Sequence, residues 1–240
     1  ANLLYIRSEA SRDTAGYEES AAAALSALEI FSREETPYDW AAMQHRLGLI
    51  HYQLGFEAGH TGVLRQALTC HQNALKVYSK RRTPGRWAEV MSSFARAAQV
   101  FGEHVKSLEA MATAANAYHA VLQVRDRDRG PLAWAATQNN LGSALFLLGR
   151  KANNPARIEA AIDAFEAALE VYELRKKHQQ AAVTAKNLDR TRHLLDYMSP
   201  RETLPRELLE FDGPFTEDAS AKLVDVSDIG ADLPADSTIH

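Results

Sequence analysis

The sequence has little of several residue types on which particular protein classes depend. Its 240 residues include a single cysteine, which excludes a disulfide scaffold and a cysteine-rich zinc module. No apolar run approaches the roughly 18 residues of a membrane-spanning helix, and the first residues show no signal-peptide pattern, so we expect a cytoplasmic protein. There are 8 prolines and 12 glycines, and strand-like runs of Val, Ile and Thr are missing. These features favour an all-α protein.

A large excess of one charge is also missing. The chain has 27 Lys and Arg against 31 Asp and Glu, a net charge of −4, which argues against a nucleic-acid partner. The charge is unevenly distributed: residues 201–240 have ten acidic and three basic side chains, whereas residues 1–200 have 21 acidic and 24 basic ones. We interpret residues 198–240 as an acidic C-terminal tail. It either folds back onto a basic surface of the chain or is a solubilising segment.

The tryptophans reveal an internal repeat. Trp40, Trp87 and Trp134 are the three tryptophans of the chain, and both intervals are 47 residues. The same interval relates Pro37, Pro84 and Pro131; Leu47, Phe94 and Leu141; Gly55, Gly102 and Gly149; and Ala67, Ala114 and Ala161. So many matches at one interval, without an insertion, indicate repeated structural units.

Within each unit the pattern predicts two helices. In the third unit, apolar residues at helical spacing predict a first helix over 134–149, which we expect Gly149 to end. A second helix is predicted over 155–177, because Pro155 suits a first helical turn. Small side chains such as Ala161 and Ala168 would let neighbouring helices approach closely.

These residues give the unit a resemblance to the tetratricopeptide (TPR) repeat, in its longer bacterial variant. The matching positions of the third unit are Leu141–Gly142 in the first helix, and Ala161, Phe165 and Ala168 in the second. The unit departs from the usual pattern because it has 47 residues instead of about 34. The second unit is degenerate, with Ala95 at the glycine position. The resemblance implies a right-handed α-solenoid of antiparallel helix pairs.

The 47-residue register predicts how the chain is divided. We expect a TPR-like array over 1–197, with a partial repeat 1–36, repeats 37–83, 84–130 and 131–178, and a capping helix 179–197. Because residue 1 aligns within a first helix, we expect the chain to be the C-terminal part of a longer protein, or a native start after methionine removal. The capping helix should have a polar outer face, formed by Thr184, Lys186, Asp189, Arg190, Thr191 and Arg192.

The resemblance also implies a binding surface, since first helices line a concave groove in TPR arrays and bind an extended peptide or a partner helix. By register, the groove positions are His45, Leu49, Tyr52, Gln53, Ser92, Arg96, Gln99, Asn139, Ser143, Phe146, Lys186, Arg190 and His193. Arg96, Lys186 and Arg190 would meet acidic groups, and Asn139 a peptide backbone. The alternative, equally favoured, is a solvated helix face. Of the adjacent asparagines, we expect Asn140 to form a hydrogen bond between units.

No catalytic pattern is present in the sequence. It has no glycine-rich phosphate loop and no Gly-x-Ser-x-Gly motif, and its nine histidines lack metal-ligand spacing. Cys70 fits a small buried residue. We therefore expect no metal or cofactor, and predict a non-catalytic protein–protein interaction module. The alternatives are a regulatory or scaffolding C-terminal part of a larger enzyme or signalling protein, and a self-assembling scaffold.

Overall fold

The computed structural model describes residues 14–198, and this part of the chain contains eight helices and no strand. The helices are α1 (Thr14–Leu28), α2 (Pro37–Ala58), α3 (Thr61–Leu75), α4 (Pro84–Val105), α5 (Leu108–Leu122), α6 (Pro131–Ala152), α7 (Pro155–Leu174) and α8 (His178–Met198). Each helix packs against the next one along the chain. The all-α prediction is confirmed. The expectations for residues 1–13 and for the acidic tail lie outside the described residues.

The helix boundaries recur at the interval seen in the sequence. The helices α2, α4 and α6 each have 22 residues and begin at a proline, whose fixed φ suits a first turn and whose missing N–H has no helical partner there. Each of these helices is followed by one residue in the left-handed conformation. These residues are Gly59, Lys106 and Asn153, with φ of 64°, 58° and 51°. The same left-handed turn therefore follows α4 and α6, although Lys and Asn stand there instead of glycine.

The following helices begin with side-chain caps at the same interval. The side chains of His60, Ser107 and Asn154 each accept a hydrogen bond from a backbone N–H three residues later. Such a cap satisfies one of the N–H groups that a helix leaves unpaired at its start. Three chemically different side chains therefore start α3, α5 and α7 in the same way.

The expectation that Gly149 ends its helix is wrong. The helix α6 continues to Ala152, and Asn153 takes the left-handed conformation. A Cβ atom added to Gly149 would lie 2.7 Å from the Ile158 side chain of α7. A glycine at this position therefore permits the close approach of two helices, and the predicted helix 134–149 was too short at both ends. The second helix ends at Leu174, three residues before its predicted end.

Two predicted members of the polar outer face of α8 are buried instead. Thr184 and Thr191 are each 1% exposed, and their hydroxyl groups form hydrogen bonds within the protein. The exposed face of α8 has Asp189 and Asp196 at the positions of Gly142 and Gly149. Carboxylates at both positions oppose the close packing of a second helix, because burial would remove their water.

The largest cluster of buried side chains runs from α2 to α8, and two smaller clusters are separate from it. Trp87, Phe94, Phe101 and Tyr118 are all buried in it, and Phe165 is buried on α7. Ala161 and Ala168 are fully buried, as their expected role in close helix packing requires. Because each helix packs mainly on its neighbours in sequence, stability is distributed along the stack instead of being concentrated in one centre.

Candidate functional site

The residues that the sequence assigns to a groove lie on α2, α4, α6 and α8, which we call the first helices. Successive first helices contact one another, whereas α3, α5 and α7 approach each other less closely. A continuous first-helix surface therefore crosses the array. Its residues form three rows at the 47-residue interval: His45, Ser92, Asn139 and Lys186; Leu49, Arg96, Ser143 and Arg190; Tyr52, Gln99, Phe146 and His193. Gln53 follows Tyr52.

The same pair of side chains occurs at two places on this surface. The Arg96 guanidinium lies over the Tyr52 ring, 4.7 Å from its centroid. The Arg190 guanidinium lies over the Phe146 ring at 5.0 Å. In both pairs the arginine follows the aromatic residue by 44 positions, on the next first helix. A guanidinium on a ring face is held electrostatically while its N–H groups remain able to donate sideways.

The middle of the surface lacks this pair. The equivalent residues are Gln99 on α4 and Ser143 on α6. The Ser143 hydroxyl donates to the Asn139 backbone carbonyl of its own helix at 3.0 Å, so it serves α6 instead of the neighbouring helix. The first-helix surface therefore has two cationic ends separated by a neutral polar centre.

Two residues of the first row, His45 and Asn139, each form a polar contact with a neighbouring first helix, although with partners at different positions of the unit. The His45 Nε2 atom and the Ser93 hydroxyl lie 3.2 Å apart between α2 and α4. The Thr184 hydroxyl of α8 donates to the Asn139 side-chain oxygen of α6 at 3.0 Å. The bond between units is therefore made by Asn139 and not by Asn140, the reverse of the expectation. The Asn139 side-chain oxygen is used within the protein, so the amide N–H groups are the remaining polar groups of this side chain.

Several predicted groove residues are engaged with their own helix or with the core. The Ser92 hydroxyl donates to the Ala88 carbonyl at 2.7 Å, and the Gln53 amide donates to the Glu57 carboxylate at 2.6 Å. Leu49 packs with the buried Tyr17 and Ile50. These contacts make Ser92 and Leu49 parts of the scaffold of the surface.

The remaining predicted residues differ in their access to solvent. Phe146 is only 8% exposed, because Arg190 and Arg150 both lie over its ring. Gln99 is half-buried, whereas Lys186 and His193 are exposed on α8. The exposed cations Arg190 and Lys186 therefore lie one helical turn apart on the same helix.

A cleft of about 240 Å³ opens at the C-terminal end of the first-helix surface. Three of the residues that line it were predicted as groove positions, and the others were not assigned to the groove. Its lining is Glu103, Ser143, Phe146, Leu147, Phe165, Asn187, Arg190 and Thr191. Glu103 is 3.7 Å from the Arg150 guanidinium, so its charge is partly balanced. The cleft offers an apolar floor beside the Arg190 cation.

At the other end of the surface, the predicted groove residue His45 lies beside a buried histidine, His71, which the sequence analysis did not identify. His71 of α3 is fully buried, and its ring centroid lies 5.3 Å from that of His45. Neither ring nitrogen of His71 has a hydrogen-bond partner within residues 14–198. The 47-residue interval places Tyr118 and Phe165 at the same position. A polar ring in an aromatic core position was the signal that could have revealed it.

Burial sets the protonation of both histidines. It lowers the pKa of His45 to about 4, and the charges of Arg46, Arg86 and Arg96 add to the effect. Burial also holds the pKa of His71 well below its usual value, with smaller contributions from His45 and Arg96. Both rings are therefore neutral at pH 7.

A larger cleft, of about 410 Å³, lies between α5 and α7 over α6. The sequence did not predict it. Its lining includes Leu141 and Leu145 in its apolar part, and Asn116, His119 and Asp163 among its polar groups. Gln138 faces this cleft at the position where Met91 is buried in the preceding unit.

Three further features of residues 14–198 bear on function: the Cys70 thiol, the grouping of metal-ligating side chains, and the length and hydropathy of the helices. Burial raises the pKa of the Cys70 thiol to about 11, so the thiol stays protonated at neutral pH. Within residues 14–198, no three His, Cys, Asp or Glu side chains converge as a metal site requires. None of the described helices is both long and apolar enough to cross a membrane.

Comparisons with known proteins add no relative to this description: no family model, no curated protein and no solved structure matches the chain. The candidate site is therefore defined by its own geometry, which is a surface across four first helices with an arginine on an aromatic ring at each end.

Proposed function

We propose that the protein is a non-catalytic interaction module, a TPR-like right-handed solenoid that binds an extended peptide with acidic side chains along the first-helix surface. The observation that carries the proposal is the recurrence of the arginine–aromatic pair, Arg96 on Tyr52 and Arg190 on Phe146. The first-helix surface continues across α2, α4, α6 and α8, and an extended peptide is long enough to contact several of these helices at once.

The ion pairs of the protein favour an external partner for these two arginines. Arg86, Arg127, Arg150 and Arg192 each lie within 4 Å of a carboxylate. Arg96 and Arg190 are exposed, and no carboxylate of residues 14–198 lies so close to them. Each is held on a ring instead, which orients the guanidinium without neutralising it. Preoriented guanidinium groups bind carboxylates through two parallel hydrogen bonds.

The cleft beside Arg190 adds a requirement for an apolar side chain. Phe146, Leu147 and Phe165 line it, so a peptide with an apolar residue next to an acidic one fits this end best. Half-buried polar side chains in the centre, such as Gln99, would contact the peptide backbone through hydrogen bonds.

A synthetic peptide with the sequence of residues 207–218 provides a defined probe, because it has five carboxylates interspersed with Leu and Phe. Fluorescence anisotropy at low ionic strength would compare the full chain with the R96A/R190A variant. We expect binding to weaken at least about tenfold in the variant, since two charge-assisted contacts are lost. A peptide with Gln and Asn in place of Glu and Asp should not bind.

Arg192→Ala is the matched control. It removes the same charge from α8, but Arg192 already pairs with Glu166 at 2.7 Å. Equal weakening by R192A would indicate a nonspecific charge effect and contradict the assigned surface. Failure of the unmodified chain to bind the peptide at low salt would contradict the acidic-peptide proposal itself.

Self-association is a second candidate, favoured by apolar side chains that remain exposed where α7 meets α8. Leu174 is 72% exposed and Val183 is 55% exposed. Light scattering over a range of concentrations tests it, because a dimer that uses this region should dissociate in the L174E/V183E variant. A monomer at every concentration would contradict it.

A further inference from the structure

The packing of α2 and α3 against α4, which we call the first joint, contains an unusual core residue. His71 occupies the position of Tyr118 and Phe165 in the other units, and all three rings are buried. In the third unit the Phe165 ring covers Gly142, with a ring atom 2.9 Å from where a Cβ would stand. The His71 ring covers Gly48 so closely that a Cβ there would overlap it. The imidazole is therefore packed as an aromatic core residue.

Hydrogen bonding does not compensate this burial. Both ring nitrogens of His71 lack a partner in the described part of the chain. Leaving a buried polar group unpaired costs stability compared with an apolar ring of the same shape. An aromatic hydrocarbon such as the phenyl ring of Phe165 fits the same site without this cost, so packing alone does not account for the imidazole.

Among residues 14–198, the charged form of the ring has no hydrogen-bond acceptor and no carboxylate that compensates its charge. The titratable groups that act on it are His45 and His51 from α2 and Arg96 from α4. One of these is permanently cationic and the other two become cationic in acid. Between pH 7 and pH 5, a proton on His71 would therefore face repulsion from Arg96 of α4 and would gain no attraction from the histidines of α2.

We propose that the first joint is an acid-sensitive hinge, in which protonation of His71 separates α3 from α2 and α4. Because each unit of a helical stack is held mainly by its neighbours, the opening stays local. The packing of α6 and α7 against α8, the last joint, has Asn139 and Phe165 where the first has His45 and His71. That joint stays closed over the same pH range. The hinge stands independently of the peptide-binding proposal.

The test measures how the unfolding constant of the full chain depends on pH, which reports the number of protons taken up on unfolding. His71 is neutral when folded and titrates near pH 6.5 when unfolded, so the unfolded state binds more protons and stability falls with pH below 6.5. In urea unfolding between pH 7.5 and pH 5, we expect the unfolding constant of the wild type to rise up to about tenfold per pH unit relative to that of H71F. H71Y should behave as H71F does.

Two controls, H71Y and H178Q, keep the result specific. Phe and Tyr occur at this position in the other units, so both variants should fold. Exposed His178 on α8 gives the matched variant H178Q, whose pH dependence should equal that of the wild type. The proposal is overturned if H71F and H71Y keep the wild-type pH dependence, or if H178Q loses as much of it.

Amide hydrogen exchange locates the opening. On acidification from pH 7 to pH 5, with intrinsic exchange rates corrected, we expect protection to fall in α2 and α3 of the wild type and to persist in α6 and α7. H71F should keep protection in all four helices. A uniform loss of protection along the wild-type chain would refute a local hinge.

Discussion

At the first and last joints of the array, an arginine from the following first helix covers an aromatic ring of the preceding one. A polar bond also joins the same two helices, and a buried ring lies on a glycine. The first joint uses His45 with Ser93 and His71 on Gly48. The last joint uses Asn139 with Thr184 and Phe165 on Gly142. Equivalent backbone geometry therefore holds titratable side chains at one end and nontitratable ones at the other.

The 47-residue register brings side chains of the same helices together at both joints. The chemistry of those side chains then determines whether their contacts depend on pH. Each joint has an arginine on an aromatic ring, a buried ring on a glycine and a polar bond between first helices, although the bond partners Ser93 and Thr184 occupy different positions of the unit.

Removal of the buried ring should affect the two joints unequally. F165A should lower the free energy of unfolding by about 3–5 kcal/mol, as for other buried phenylalanines. H71A should cost less at pH 7.5, because it also removes two buried nitrogens that have no partner within residues 14–198. Urea unfolding of both variants measures the difference. An equal or larger cost for H71A would indicate that the imidazole is stabilised in the core.

Filling the glycine under either ring should destabilise both joints. A Cβ on Gly142 would meet Phe165 at 2.9 Å, and one on Gly48 would overlap His71. We expect G142A and G48A to cost about 1–3 kcal/mol each through overpacking, measured by thermal unfolding. Gly85 has no heavy atom within 4 Å of such a Cβ, so G85A should be neutral or stabilising. Destabilisation by G85A of the same size would contradict the packing explanation.

The polar bond of the first joint should be sensitive to pH. The pKa of His45 is about 4, below the usual 6.5 or so, so its contribution is complete above pH 6.5 and is lost as the pH falls toward 4. H45N places the side chain of Asn139 at the equivalent position. At pH 5 it should recover up to about 2 kcal/mol relative to the wild type, with no such gain at pH 7.5.

Parallel urea titrations at the two pH values measure this effect. His193→Asn is the matched control, because it makes the same change at an exposed position of α8. A gain at pH 7.5 equal to that at pH 5 would show that H45N acts through packing and not through protonation.

The polar bond of the last joint should contribute less, and independently of pH. T184V keeps the side-chain volume but removes the hydroxyl that donates to Asn139 at 3.0 Å. We expect a cost of about 1 kcal/mol, the usual net value of one buried hydrogen bond. Urea unfolding at pH 7.5 and pH 5 should give the same cost. A cost that changes with pH would weaken the contrast between the joints.

Much of the fold was accessible from the interval alone. The prolines before α2, α4 and α6 and the alanines of the second helices predicted the helix pairs, because their conformational preferences are local. Gly149 was misread because a glycine suits both a left-handed residue and a close approach. Only the position of Ile158 in the neighbouring helix distinguishes the two. Thr184 was misread for the same reason, since its partner Asn139 lies 45 residues away.

The candidate site was predicted in part. The register placed Arg96, Asn139 and Arg190 on the first helices, but it did not show that Arg190 covers Phe146 or that Asn139 bonds to α8. Such contacts depend on how far one helix is shifted along the next, which a 47-residue interval does not specify. His71 could have been noticed, because Tyr118 and Phe165 share its position. Its lack of a partner required coordinates.

The sequence by itself determined the all-α class and the 47-residue unit, because these follow from local propensities and repeated spacing. The tertiary structure decided which glycines permit close helix packing, which threonines are buried, and which arginines have rings beneath them in place of carboxylates. It also decided that one imidazole has no partner within the described residues. Those outcomes depend on side chains brought together from separate helices, and their energies come from burial and contact instead of from local conformation.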